Sequence, residues 1–149
     1  MTDVLAPCAG AVVPLAAVPD AVFAAEMVGP GVAVDPVRAP TVVVSPIAGR
    51  ALKVMPHAFV VLAEDGTGVL VHLGIDTVQL EGEGFEVLVE QGATVEAGTP
   101  MVAWDPAAIA AGGRSPIVPV CVMDGPKGAV PAPPPGTVAT AGDLLFAWP

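Results

Sequence analysis

The apolar residues of this chain fall into short runs cut by glycine and proline. Val32-Ala33-Val34, Thr41-Val42-Val43-Val44, Phe59-Val60-Val61-Leu62 and Val69-Leu70-Val71 are rich in β-branched side chains. Turn-forming groups stand between them: Gly29-Pro30-Gly31, Asp65-Gly66 and Glu81-Gly82-Glu83-Gly84. Such runs, bounded by such breakers, predict short β-strands. Helical periodicity is almost absent. Residues 20–28 and 106–112 each predict a short helical turn, the second begun by Asp105-Pro106, a capping side chain followed by a proline suited to the first helical position.

Two internal echoes organise the strands. Ala6-Pro7-Cys8-Ala9-Gly10-Ala11-Val12-Val13 is echoed by Ser45-Pro46-Ile47-Ala48-Gly49-Arg50-Ala51-Leu52. The stretch Gly92 to Trp104, with Ala97-Gly98, is echoed by Gly136 to Trp148, with Ala141-Gly142. Two related halves predict an all-β, duplicated hybrid β-sandwich/barrel with one or two short helical turns, which leaves few free strand edges. Met123 to Gly136 contains Pro126, Pro131 and Pro133-Pro134-Pro135, and is expected as a surface loop, because proline neither extends a helix nor pairs in a central strand. Trp104 and Trp148, at echoed strand ends, are expected to pack.

At 149 residues the chain is expected to be a single domain spanning 1–149, large enough to bury a core. Although 54% of residues are apolar, no uninterrupted run reaches membrane-spanning length. Met1-Thr2-Asp3-Val4 has no basic region of the kind that opens a signal peptide, so a cytoplasmic protein without membrane insertion is expected. Fifteen acidic residues against five basic ones give a formal charge of −10. That surface repels nucleic acid and anionic membranes and favours basic protein partners. Cys8 and Cys121 lie far apart without C-x-x-C spacing, so neither a disulfide framework nor a zinc knuckle is indicated.

Candidate chemistry concentrates on the two histidines. His72 sits in the middle of a strand pattern, bounded by Gly74 and Asp76; His57 stands fifteen residues earlier in Pro56-His57-Ala58-Phe59. Two strands joined through the Glu64-Asp65-Gly66 turn would bring the rings together. An imidazole ionises near neutral pH and can act as acid, base, nucleophile or metal ligand. Nothing else in the chain has the look of a catalytic centre.

The residues around His72 go further. Val71-His72-Leu73-Gly74-Ile75-Asp76-Thr77-Val78, with Leu80 and Gly82-Glu83-Gly84-Phe85, closely resembles the phosphohistidine signature of the glucose-type EIIA domains of the bacterial sugar phosphotransferase system. The likeness extends to Pro19-Asp20, Val22-Phe23-Ala24, Val28-Gly29, Gly31, Ala33, Pro36, Ala48-Gly49 and His57-Ala58-Phe59, and downstream to Gly92, Val95, Gly98 and Trp104-Asp105. This resemblance implies a free-standing phosphoryl carrier, the chain having no room for a permease. His72 would accept phosphate from phosphorylated HPr and pass it to the EIIB domain of a glucose- or N-acetylglucosamine-type permease. His57 would assist by hydrogen-bonding the phosphoryl group. Asp76 matches the acidic position that meets basic residues of HPr, and Val22, Phe23, Met27, Val28, Leu70 and Val78 would form an apolar docking rim. Regulatory protein targets are a further implication. No cofactor is required, though His57 and His72 could share a zinc ion at an interface where a partner supplies a carboxylate.

Two departures from the family pattern stand out. Met55-Pro56 precedes His57 where relatives often carry threonine two residues before this histidine, and the proline-rich loop 125–136 replaces a charged helix. Competing readings fit less well. A zinc hydrolase on a similar sandwich needs a further ligand and a base, and there is no third histidine. A lipoyl or biotin carrier needs a lysine at a tight turn, and Lys53 and Lys127 lack that setting. A non-catalytic regulatory binding module of the same fold would keep the surface and dispense with the transfer.

Overall fold

A computed structural model describes all residues, 1–149. The chain forms thirteen strands and two short helices: β1 (Thr2–Leu5), β2 (Gly10–Pro14), α1 (Ala21–Ala24), β3 (Gly31–Pro36), β4 (Thr41–Val44), β5 (Gly49–Met55), β6 (Ala58–Leu62), β7 (Gly68–His72), β8 (Glu86–Val87), β9 (Thr94–Val95), β10 (Pro100–Trp104), α2 (Pro106–Ala111), β11 (Val118–Val122), β12 (Val138–Ala139) and β13 (Leu144–Trp148). Single 3-10 turns cover Leu15–Ala17 and Thr77–Leu80. The fold is thus all-β, as the short apolar runs predict, and the four runs quoted above each lie within one strand.

The helices are as brief as their signals. Asp20 caps α1, its Oδ1 accepting from the N–H groups of Val22 (2.9 Å) and Phe23 (3.3 Å), and the helix ends before Glu26, which is left-handed at φ 56°. This is narrower than the span 20–28, because a β-carbon in the left-handed region cannot continue a helix. Asp105 caps α2 through Ala107 N–H (3.0 Å), with Pro106 at the first position. Helices this short are not stable alone; each is held by a buried side chain, Phe23 and Ile109.

All strand pairings are antiparallel. Eight strands form one sheet in the order β12-β2-β3-β11-β7-β6-β5-β9, with a second sheet β4-β10-β8 and a third β1-β13. The order reads symmetrically about its centre: β11 answers β7, β3 answers β6, β2 answers β5, and β12 answers β9. Each echo of the first kind therefore pairs with one of the second, Gly10 to Ala139 and Gly49 to Val95. The two tie together through matched bonds, Leu5 N–H to Pro46 C=O and Val44 N–H to Pro7 C=O, both 2.9 Å.

Side-chain alternation along the central strands assigns two cores. Val118, Val120 and Val122 of β11, Val32 and Val34 of β3, and Val69 and Val71 of β7 join the main core, which also takes Val4, Val43, Met101, Val102 and Phe146 from the two small sheets. The intervening residues Cys121 and Ala33 face the opposite way, into a smaller core with Leu15, Val18, Phe23, Ile75 and Ile117. Leu70 packs against that second core. His72 has the parity of Leu70, so its ring also leaves the sheet on the face covered by α1. Trp104 is buried and stacks on Phe85 with ring centroids 6.0 Å apart, a packing role.

Candidate active site

The two imidazoles meet because of one hairpin. The β6–β7 turn is set by Asp65, whose Oδ1 accepts from Thr67 N–H (2.9 Å), and by Gly66 at φ 93°, a conformation that glycine tolerates. The resulting register places Ala58 opposite His72, so His57 lies at the same end of the hairpin. Leu73 N–H donates to the His57 carbonyl at 2.7 Å and closes that end. The ring centroids are 5.3 Å apart and nearly perpendicular, at 74°.

His72 is oriented by the backbone that follows it. Its Nδ1 lies 2.6 Å from the Gly74 carbonyl oxygen. A carbonyl only accepts, so Nδ1 carries the proton and Nε2 is left with a free lone pair. The Gly74 carbonyl is itself fixed. Gly74 N–H donates to Ile117 C=O (3.1 Å), Ile75 N–H to Ser115 C=O (2.8 Å), and the buried Thr77 hydroxyl to Leu73 C=O (2.7 Å). Gly74 adopts φ 81°, and a β-carbon there would come within 2.7 Å of Thr77 Cγ2 and 3.1 Å of the Ser115 oxygen. Phe23 completes the setting from below, its ring 5.2 Å from that of His72.

Both imidazoles are held neutral. Burial pushes the His72 pKa below the ordinary 6.5; the Gly74 carbonyl opposes that shift, His57 adds to it, and the Asp20 and Asp76 carboxylates oppose it weakly. Burial also lowers His57. A neutral ring of fixed tautomer, with Nε2 unprotonated, is a nucleophile at neutral pH. The His57 ring makes no hydrogen bond within the protein and is free to donate to a bound group. Pro56, one of the departures noted above, is half-buried, with its ring 3.3 Å from where a β-carbon on Gly82 would stand.

The other rim residues divide by exposure. Val22, Met27 and Val78 are exposed at 45, 67 and 57%, and Asp76 is exposed beside them. Val28 and Leu70 are half-buried. Phe23 is buried and belongs to the smaller core, so it supports the imidazole and offers little surface of its own. Sequence reasoning did not reach Gly74, Thr77, Ser115 and Ile117 as the frame of the imidazole. Gly74 and Thr77 lie within the quoted motif, but the bonds of Gly74 and Ile75 run to Ile117 and Ser115, some forty residues later. No group of three or more His, Cys, Asp or Glu side chains is arranged to hold a metal.

Residues 2–128 match the family described as phosphoenolpyruvate-dependent sugar phosphotransferase system, EIIA 1. The chain is 41% identical over 123 residues to the glucose-specific EIIA component of Bacillus cereus, covering 81% of this chain and 73% of that one. It is 47% identical over 122 residues to the N-acetylglucosamine-specific EIICBA component of Escherichia coli, covering 80% of this chain but only 18% of that larger protein. Among solved structures, glucose permease IIA from Mycoplasma capricolum superposes with a TM-score of 0.83 at 32% identity, over 96% of this chain and 92% of that one.

Proposed function

This chain belongs to the EIIA 1 family of the phosphoenolpyruvate-dependent sugar phosphotransferase system, and from that premise we propose that it carries phosphate on His72 between HPr and the EIIB domain of a sugar permease. The observation that carries this reading is the 2.6 Å contact of His72 Nδ1 with the Gly74 carbonyl, which leaves the Nε2 lone pair free in a ring 5.3 Å from that of His57. In the first transfer Nε2 attacks the phosphorus, the donor's P–N bond breaks and a new P–N bond forms. The proton stays on Nδ1 throughout, held by Gly74, so no base is needed. In the second transfer the EIIB nucleophile attacks the same phosphorus and the pair of electrons returns to Nε2.

The transition state for such a transfer is loose, with charge on the peripheral oxygens, so positioned donors matter most. His57 supplies one from an imidazole N–H and turns toward the phosphoryl oxygens. The exposed Val22, Met27 and Val78 give the patch on which partners dock, and Asp76 with the net acidic surface draws in the basic donor. A zinc ion between the imidazoles would need at least one more ligand from a partner, since the chain offers only two at this place.

Phosphorylation with enzyme I, HPr and phosphoenolpyruvate, read by intact mass and acid lability, tests this. The wild type gains one acid-labile phosphate, His72→Ala gains none, and His57→Gln is phosphorylated but passes phosphate to EIIB at a rate lowered by about two orders of magnitude. No phosphate on the wild type, with HPr shown active on another EIIA, would sink the reading.

A further inference from the structure

The two imidazoles are held by different means. His72 has the Gly74 carbonyl on its Nδ1. The His57 ring meets that of His72 edge-on, with centroids 5.3 Å apart, and has no hydrogen bond within the chain. Its placement therefore rests on its own backbone. Met55 of β5 pairs with Ala58 of β6, so Pro56 and His57 alone make the turn between these strands. Neither residue has positive φ, which excludes types I′, II and II′ and leaves type I as the common turn that fits. Two-residue hairpins usually close with I′ or II′, because a type I turn works against the twist of the paired strands. A turn of the less suited kind needs something to hold it.

Pro56 supplies that hold twice. Its ring locks φ at about −65°, the value the first central position of a type I turn requires. The second hold is tertiary. After the 3-10 turn Thr77–Leu80, Glu81 and Gly82 are both left-handed, at φ 52° and 87°, and Gly82 comes to lie against the hairpin. A β-carbon on Gly82 would stand 3.3 Å from Pro56 Cγ and 3.7 Å from its Cβ. The half-buried proline ring thus packs on a residue that has no side chain of its own. On the other side of the turn, the His57 carbonyl accepts from Leu73 N–H at 2.7 Å. His57 is gripped from both sides, and Leu73 and Gly82 both belong to the segment that continues from His72.

We propose that Pro56 is a positioning residue for His57: by fixing the turn and seating on Gly82, it aims the His57 imidazole at a phosphoryl group carried on His72. The inference rests on the phosphocarrier reading above. Pro56 touches no reacting atom. It governs how much of the time the His57 N–H stands where the transferring oxygens need a donor, and a donor in place for a fraction of the time lowers the rate by that fraction. Replacing proline by a residue that can leave the turn conformation restores backbone freedom, more with glycine than with alanine. The His72 ring, with its own bond to Gly74, does not share this dependence.

The test measures transfer to EIIB in steady state on the whole chain, for Pro56→Ala and Pro56→Gly, each alone and beside His57→Ala; thermal melting verifies that every variant folds. Each proline variant still takes up one acid-labile phosphate. Its kcat for transfer falls, about threefold with alanine and about tenfold with glycine, while KM for EIIB is unchanged. Beside His57→Ala neither change lowers the rate further, because no imidazole is left to aim. Relaxation of the ring carbons, read by NMR, finds His57 more mobile in both proline variants and His72 unaltered. Wild-type kcat in both variants overturns the proposal and leaves the carrier reading intact. So does a loss that persists in full beside His57→Ala, which would assign the effect of Pro56 to another group. Failure of the wild type to accept phosphate removes the carrier reading and this inference with it.

Discussion

At the residue scale, the chemistry of His72 is decided by what surrounds an ordinary imidazole. Its pKa and that of His57 lie below 6.5 mainly through burial, so the unfolded chain binds more protons than the folded one as the pH drops below that value. The stability contributed by the neutral rings is present above 6.5 and is lost as the pH falls through the folded pKa values. Phosphate uptake follows the same sign. It is predicted to be flat from pH 7 upward and to fall only below the ordinary histidine range; a pH–rate profile of single-turnover uptake with its midpoint above 6.5 would contradict this. Gly74 is the second lever. Alanine there meets Thr77 and the Ser115 oxygen from a positive φ, which is expected to cost roughly 1–3 kcal/mol in a urea melt. The same change shifts the carbonyl that holds Nδ1, so uptake slows as well. That His72 is the residue to propose as carrier was legible from its long motif, whereas its place at the very end of β7, and not mid-strand as expected, was not. The part played by Gly74 was hidden, since its partner Ile117, and Ser115 that holds the neighbouring Ile75, are distant in sequence.

At the scale of elements, the duplication is more complete than the echoes reveal. Leu73 N–H to His57 C=O (2.7 Å) is mirrored by Val122 N–H to Pro30 C=O (2.8 Å), and Gly74 N–H to Ile117 C=O by Met123 N–H to Gly68 C=O. The same symmetry equates His72 with Cys121 and His57 with Pro30. Two equivalent ends of paired strands exist, and only one bears imidazoles; the other has a buried thiol whose pKa burial drives up to about 12. The echoed glycines Gly10 and Gly49 show why the echo is there. A β-carbon on either would fall 2.1 Å from the Asp35 oxygen or 2.3 Å from the Leu62 oxygen, on the neighbouring strand. Gly10→Ala and Gly49→Ala are each predicted to lose roughly 2–4 kcal/mol in equilibrium unfolding. A loss of less than about 1 kcal/mol in both would mean that the strands can part without penalty.

For the whole molecule, charge governs encounter more than fold. Fifteen acidic residues and five basic ones leave −10, and Arg38 with Asp35 forms the one ion pair, at the surface and of little worth. The field of the remaining carboxylates speeds approach of a basic donor and weakens as salt shortens its reach. The second-order rate of uptake from phospho-HPr is therefore predicted to fall by about an order of magnitude between low salt and 0.5 M. Stopped-flow measurement of uptake across ionic strength checks this; an uptake rate indifferent to salt would remove the electrostatic account of the rim.

The four quoted apolar runs that became strands, the turns between them, the cap at Asp105 and the motif around His72 were determined by the sequence itself, because each is written in local terms: β-branched runs, turn chemistry, a capping side chain, a motif. The pairing of Gly10 with Ala139 and of Gly49 with Val95 was decided only in three dimensions, since the echoes are nearly alike and sequence does not say which joins which. So was the place of Phe23, expected at the rim and found beneath the imidazole, because an apolar side chain on a capped turn reads the same whether it faces a partner or a core. The neutrality of His72 belongs to the tertiary structure too. Desolvation is a property of everything packed around a ring, and no neighbour in the chain carries it.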